Sequence, residues 1–291
     1  MKMLNKLVSA AAVAMAFAGN ASADVVMNDW VFNPIGGGFA SGQTIHENLN
    51  VAGNSFIQLT PTNQSGAFSF VEHSVFIIPQ ADANGKFFPV NYAGGNITAT
   101  FVANGTGSLG GGFTFSGGTI SIYQNPTNNQ YATAAGYYGA NLGNLIATFT
   151  VQPGGGGEVD AFGNPVANGQ VTVNAMAMAG ALQPGYFFDK TGKDLSTQSV
   201  LSFAFTNANP LQSPTDLQVS EIMCQFAGYT GSGCDGSAYN PGAADQIRTT
   251  LFLNTDGQFK LAEVPEPGSL ALFGIAMLGA GVVTRKRAKK A

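Results

Sequence analysis

Charge is what this chain has least of: only 10% of its 291 residues are Asp, Glu, Lys or Arg, against about 25% in an average globular protein. Basic residues are scarcest in the middle. From Asp24 to Pro267 there are five, Lys86, Lys190, Lys193, Arg248 and Lys260, against all 16 acidic residues, a net charge of −11. Such a body has no means of binding nucleic acid through phosphate neutralisation and counterion release. Histidine is limited to His46 and His73. His46-Glu47 lacks the second histidine of a zinc-protease helix, and no serine stands in a G-x-S-x-G elbow. His73, beside Glu72 in an alternating run, reads as a strand-surface residue. No catalytic residue is assigned, and the reading is of a protein that is not an enzyme.

Apolar residues and glycine are plentiful. Hydrophobic residues make up 45% of the chain, with 22 Phe and 39 Gly. A core can therefore form, under a surface of Asn, Gln, Ser, Thr and Gly rather than charge. Between Asp24 and about Glu263 the pattern is of short strands, at Val25–Phe32, Ser55–Leu59, Ala67–Ile78, Asn96–Val102, Phe113–Tyr123, Leu145–Val151, Gln170–Met178, Val200–Thr206, Leu217–Phe226, Thr249–Leu253 and Gln258–Ala262. Alternation is clearest where Leu201, Phe203 and Phe205 oppose Ser202, Ala204 and Thr206. Period-two alternation marks half-buried antiparallel strands. Asn84-Gly85, Asn104-Gly105, Asn168-Gly169 and Asp256-Gly257 supply turn chemistry, the last as a hairpin. Gly154–Gly157 reads as a flexible loop or a joint between halves. The expectation is an all-β body, an antiparallel β-sandwich or jelly-roll-like fold.

Candidate sites within that body are few. Cys224 and Cys234 are the only cysteines, and an even pair in an exported chain predicts a disulfide. It would close a loop holding Gly228, Gly231 and Gly233. Glu158 with Asp160, and Asp189 with Asp194, have the oxygen chemistry to chelate Ca²⁺, and serve equally well as turn residues. No cofactor is required by the pattern, Ca²⁺ being the one ion it leaves room for. Tyr123, Tyr131, Tyr137 and Tyr138 flank a polar stretch, where they either stack on sugar rings or bridge core and surface.

The two ends carry instructions of another kind. Residues 1–23 have the form of a secretory signal peptide, with Lys2 and Lys6, an apolar run from Leu7 to Ala18, and an A-x-A cleavage site at Ala21-Ser22-Ala23. Residues 264–291 hold Pro265-Glu266-Pro267, an uncharged run from Gly268 to Val283, and the basic tail Arg285, Lys286, Arg287, Lys289 and Lys290. Proline on either side of Glu266 ends any helix or ladder. The apolar run covers most of a bilayer core as a transmembrane helix, and the basic tail stays cytoplasmic.

This three-part order resembles the PEP-CTERM sorting signal of Gram-negative bacteria. The resemblance implies that an exosortase, a membrane-embedded cysteine transpeptidase, cuts near Pro265-Glu266-Pro267. It implies transient residence in the inner membrane, then delivery to the cell surface or extracellular matrix. A second likeness lies in Asp29-Trp30-Val31-Phe32-Asn33-Pro34, Gly38-Phe39-Ala40-Ser41-Gly42-Gln43 and Asn48-Leu49-Asn50-Val51-Ala52-Gly53. Over residues 28–60 it is similar to the flocculation-associated PEP-CTERM proteins, which implies a role in cell aggregation with secreted exopolysaccharide. The alternative is a surface module that binds carbohydrate or another ligand, with or without Ca²⁺.

Overall fold

In a computed structural model, residues 26–61, 66–90, 95–127, 130–241 and 246–264 are described. The signal-peptide segment with Ala21 and Ala23, Pro265-Glu266-Pro267, the apolar run and the basic tail lie outside the described residues.

Among the described residues thirteen strands run in chain order: β1 (Trp30–Phe32), β2 (Gln43–Ile45), β3 (Asn48–Pro61), β4 (Ala67–Ala83), β5 (Lys86–Pro89), β6 (Asn96–Ser108), β7 (Gly112–Asn125), β8 (Asn144–Val151), β9 (Gly154–Glu158), β10 (Gln170–Ala177), β11 (Phe187–Phe188), β12 (Val200–Pro210) and β13 (Thr250–Glu263). A helical segment, α1 (Asp216–Gln218), continues as a π-helix over Val219–Phe226.

The all-β antiparallel class is therefore the observed one. Eight strands hydrogen-bond in the order β3, β4, β6, β7, β8, β10, β12, β13, and β13 pairs with β3. The sheet closes on itself. Apart from the short β5, β9 and β11 and the closing pair of β13 with β3, ring neighbours are neighbours in sequence. That meander order differs from the crossing order of a jelly roll. Opposite walls pack as the layers of a sandwich do: Phe149 on β8 meets Phe259 on β13 with ring centroids 5.3 Å apart. An eight-stranded barrel has an interior that side chains just fill, or that holds one small ligand.

Period two decides what enters that interior. On β4, Phe68, Phe70, Glu72, Phe76 and Ile78 point in, as do Phe101 on β6 and Phe115 on β7. On β12 the alternation holds, but the small residues face inward: Ala204, Thr206 and Ala208 line the core, while Phe205 is exposed. Phenylalanines from β4, β6 and β7 occupy the volume, so the opposite wall has room only for small side chains.

Both barrel ends are covered. At the end where β4 and β13 finish, β11, β1 and β2 form a three-stranded sheet. It is tied on by Met27 N–H to Leu261 C=O and His46 N–H to Asp82 C=O. Trp30, Phe32 and Phe187 are fully buried there and join the barrel core. At the other end the loop Val159–Val166 forms a roof. Arg248 N–H donates to Phe162 C=O, and Val159, Gly163 and Pro165 face the interior.

Four local expectations need correction. Leu217–Phe226 is helical, not a strand. Thr215 caps it, its hydroxyl accepting from Gln218 N–H while the Gln218 side chain returns to the Thr215 N–H. The T-x-x-Q capping box and apolar residues at 219, 222, 223 and 226 are helix signals that outweigh β propensity. Asp256-Gly257 is not a turn: β13 runs straight through it, with Asp256 opposite Ala52 and Gly257 opposite Val51. Asn104-Gly105 is likewise inside a strand, at a register shift between β6 and β7. Gly154–Gly157 is neither loop nor joint. It is β9, hydrogen-bonded to β7 and β10. A Cβ on Gly156 would lie 1.9 Å from the Phe113 carbonyl oxygen, so glycine permits close backbone approach here rather than flexibility. Asn84-Gly85 does make the β4–β5 turn, with φ of 54° and 76°.

Candidate functional site

The barrel interior is not completely filled. A cavity of about 100 Å³ lies between its middle and the roof loop. Its wall is phenylalanine and aliphatic side chain, and the polar side chains on it are Glu72, Thr206 and Thr255. Glu72 is placed by β4 alternation between Phe70 and Ser74. Its side chain lines the cavity.

Neighbouring strands complete a polar chain around the carboxyl. Ser55 sits opposite Ser74 in the β3–β4 register. Ser74 Oγ donates to Glu72 Oε1 at 2.7 Å and lies 2.7 Å from Ser55 Oγ, which is 3.3 Å from Thr255 Oγ1. A hydroxyl has one proton to donate. Ser74 therefore spends its proton on the carboxylate, and the Ser55 proton is left for Ser74 Oγ or for Glu72 itself. Burial raises the Glu72 pKa above its ordinary 4.5, against the lowering effect of the Ser74 and Ser55 hydrogen bonds.

His73 points the other way, out of the barrel, but it is not the surface residue expected. The helical segment covers it: Phe226 packs edge-on at 5.0 Å and itself stacks on Tyr137 at 4.4 Å. Burial lowers the His73 pKa below 6.5. His46 stands apart from this, exposed at the plugged end, with Nδ1 3.0 Å from Asp29 Oδ1. That hydrogen bond is the main cause of its raised pKa.

Glu72 and His73 give opposite pH slopes. Native Glu72 keeps its proton where the unfolded chain has lost it, so this contribution is complete below pH 4.5 and is lost as pH rises through the native pKa. Native His73 resists a proton that the unfolded chain accepts, so stability falls as pH drops from 6.5 through its native pKa. Glu72→Gln is expected to stabilise the fold at pH 7 by about 1–3 kcal/mol and to change little at pH 4. Thermal melts of both proteins at the two pH values check this, and an equal difference at both would contradict it.

The remaining candidates serve the fold. Cys224 and Cys234 form the expected disulfide, Cα atoms 5.5 Å apart, and close the helical segment onto the outer face of β3 and β13. There Tyr229 meets Phe56 at 5.5 Å and Tyr239 meets Phe252 at 5.3 Å. Tyr131, Tyr137 and Tyr138 belong to the same cluster, with Tyr131 OH donating to Val75 C=O at 3.2 Å. They bridge core and surface. Asp160 accepts from Phe162 N–H, Asn164 N–H and the Asn164 side chain, which orders the roof loop. Its pKa is pushed up by burial and more strongly down by these bonds, for a net lowering. Asp189 accepts from Thr191 and Lys193, and Asp194 from Gly185 and Ser196. Among the described residues no three His, Cys, Asp or Glu side chains converge as a metal site. None of the helices among them is long and apolar enough to cross a membrane.

The fold and interior define an antiparallel β-barrel with an apolar cavity on whose wall, among the described residues, Glu72 carries the carboxyl. Residues 263–287 match the family model of the PEP-CTERM protein-sorting motif. The chain thus carries a PEP-CTERM sorting signal, which implies export to the cell envelope and handling by an exosortase. No curated protein and no solved structure matches it.

Proposed function

We propose that the barrel is a non-enzymatic component of the extracellular matrix that holds cells in aggregates together with secreted exopolysaccharide. The observation that carries this is the sorting motif at residues 263–287, which sends the body outside the cell. The likeness of residues 28–60 to flocculation-associated proteins supports it. In the fold those residues build the plug strands β1 and β2 and most of β3. The reading needs no cofactor.

Deleting residues 263–291 is expected to abolish surface display and reduce cell aggregation by about tenfold or more. Fluorescence labelling of intact cells and a settling assay read the two effects. Unchanged display and settling would sink the sorting claim, and lost display with unchanged settling would sink the aggregation claim.

A further inference from the structure

We propose that the barrel interior binds one small apolar molecule with a single hydrogen-bond-donating head, an aromatic or branched-alkyl amine or alcohol, and that Glu72 anchors the head. This inference is independent of the matrix role.

The cavity sets the size. A space of about 100 Å³ far exceeds the 10–15 Å³ that admits one water, and is of the order of engineered cavities that hold benzene. The wall sets the body of the ligand. Phe70, Phe76, Phe101, Phe115 and Phe259 converge on it, and such a surface favours an apolar guest over ordered water. The polar chain sets the head. A carboxylate has about four lone-pair positions on its two oxygens. The serine hydroxyls occupy part of that capacity, and the remainder can accept from an O–H or N–H in the cavity. The carboxyl is held by hydroxyls alone, and no Lys or Arg among the described residues lines the cavity to balance its charge. An apolar residue of similar volume would pack there without the cost of burying an ionisable group. A binding site accounts for an otherwise destabilising side chain.

The place of entry follows from the two ends. Trp30, Phe32 and Phe187 pack solidly into one. At the other, among the described residues, the loop Val159–Val166 forms the roof, and its Gly163 and Pro165 face the cavity.

Calorimetric titration of the purified protein with benzylamine, benzyl alcohol and toluene tests the proposal. Benzylamine and benzyl alcohol are expected to bind with Kd on the order of 0.1 mM, and toluene several-fold more weakly. Glu72→Gln should weaken the two donors by about tenfold and leave toluene within twofold. Ala204→Phe, which fills the cavity from β12, should abolish all three, and Ala204→Met serves if that variant does not fold. Absence of binding by every probe, or affinities indifferent to both substitutions, would overturn the proposal. So would toluene binding as tightly as the donors.

Discussion

Phe149→Ala is expected to destabilise the barrel by about 3–5 kcal/mol. Phe149 is fully buried on β8 and meets Phe259 on β13, a strand on the opposite wall, at 5.3 Å with rings near perpendicular. The edge-to-face pair adds to the area term. Removing the ring takes away both the transfer free energy and the contact that spans the barrel. The site also has little means of collapsing. Each wall is held by its own hydrogen-bond ladder, with Phe149 opposite Ile120 on β7 and Phe259 opposite Leu49 on β3. The cavity left behind should persist. For a domain of this size the melting temperature should fall by roughly 10 °C. Urea unfolding at pH 7 measures the free energy directly, and a loss below about 1 kcal/mol would mean that the walls do not pack through this pair.

Opening the Cys224–Cys234 bond is the second large effect. The cysteines are 10 residues apart, a loop for which the chain-entropy model gives roughly 2–3 kcal/mol. The double replacement by serine should reproduce that loss, and reductant should lower the melting temperature of the native protein but not of the variant. The bond also holds a cover in place. Phe56 and Phe252 face outward from β3 and β13, yet are 0% and 2% exposed because the helical segment and its following loop lie over them. Loosening that cover uncovers two phenylalanines on a sheet surface, so the reduced protein should also bind a hydrophobic dye more strongly. A melting temperature indifferent to reductant would show that the cover is held by packing alone.

Much of this was legible in local pattern. Alternation along Ala67–Ile78 and Asn96–Val102 marks strands that the structure contains as parts of β4 and β6. The same alternation puts Glu72 on the face of Phe68, Phe70 and Phe76, a signal for an internal carboxyl that was not among the candidates drawn from the sequence. Closure was not legible, because it depends on pairings such as β10 with β12 and β13 with β3 that turn chemistry between neighbours does not encode. The polar chain was hidden for a related reason. Ser74 and Ser55 are 19 residues apart and Ser55 and Thr255 are 200 apart. Each is an ordinary strand residue until register aligns them. Glycine misled most, since β9 has the composition of a linker and the geometry of a tightly packed strand. The capping box at Thr215 was the signal for the helical segment, masked by a run that also fits a strand.

The central claim is that this barrel is exported and cut at its sorting motif. Intact mass of the protein recovered from the cell surface tests it most directly. The account predicts a mass for a chain from Asp24 to the neighbourhood of Pro267, lighter by the hydrogens lost in forming Cys224–Cys234, with any excess carried by a group joined at the new C-terminus. A mass that runs through Ala291 would contradict it, leaving the terminal segment as a permanent part of the protein.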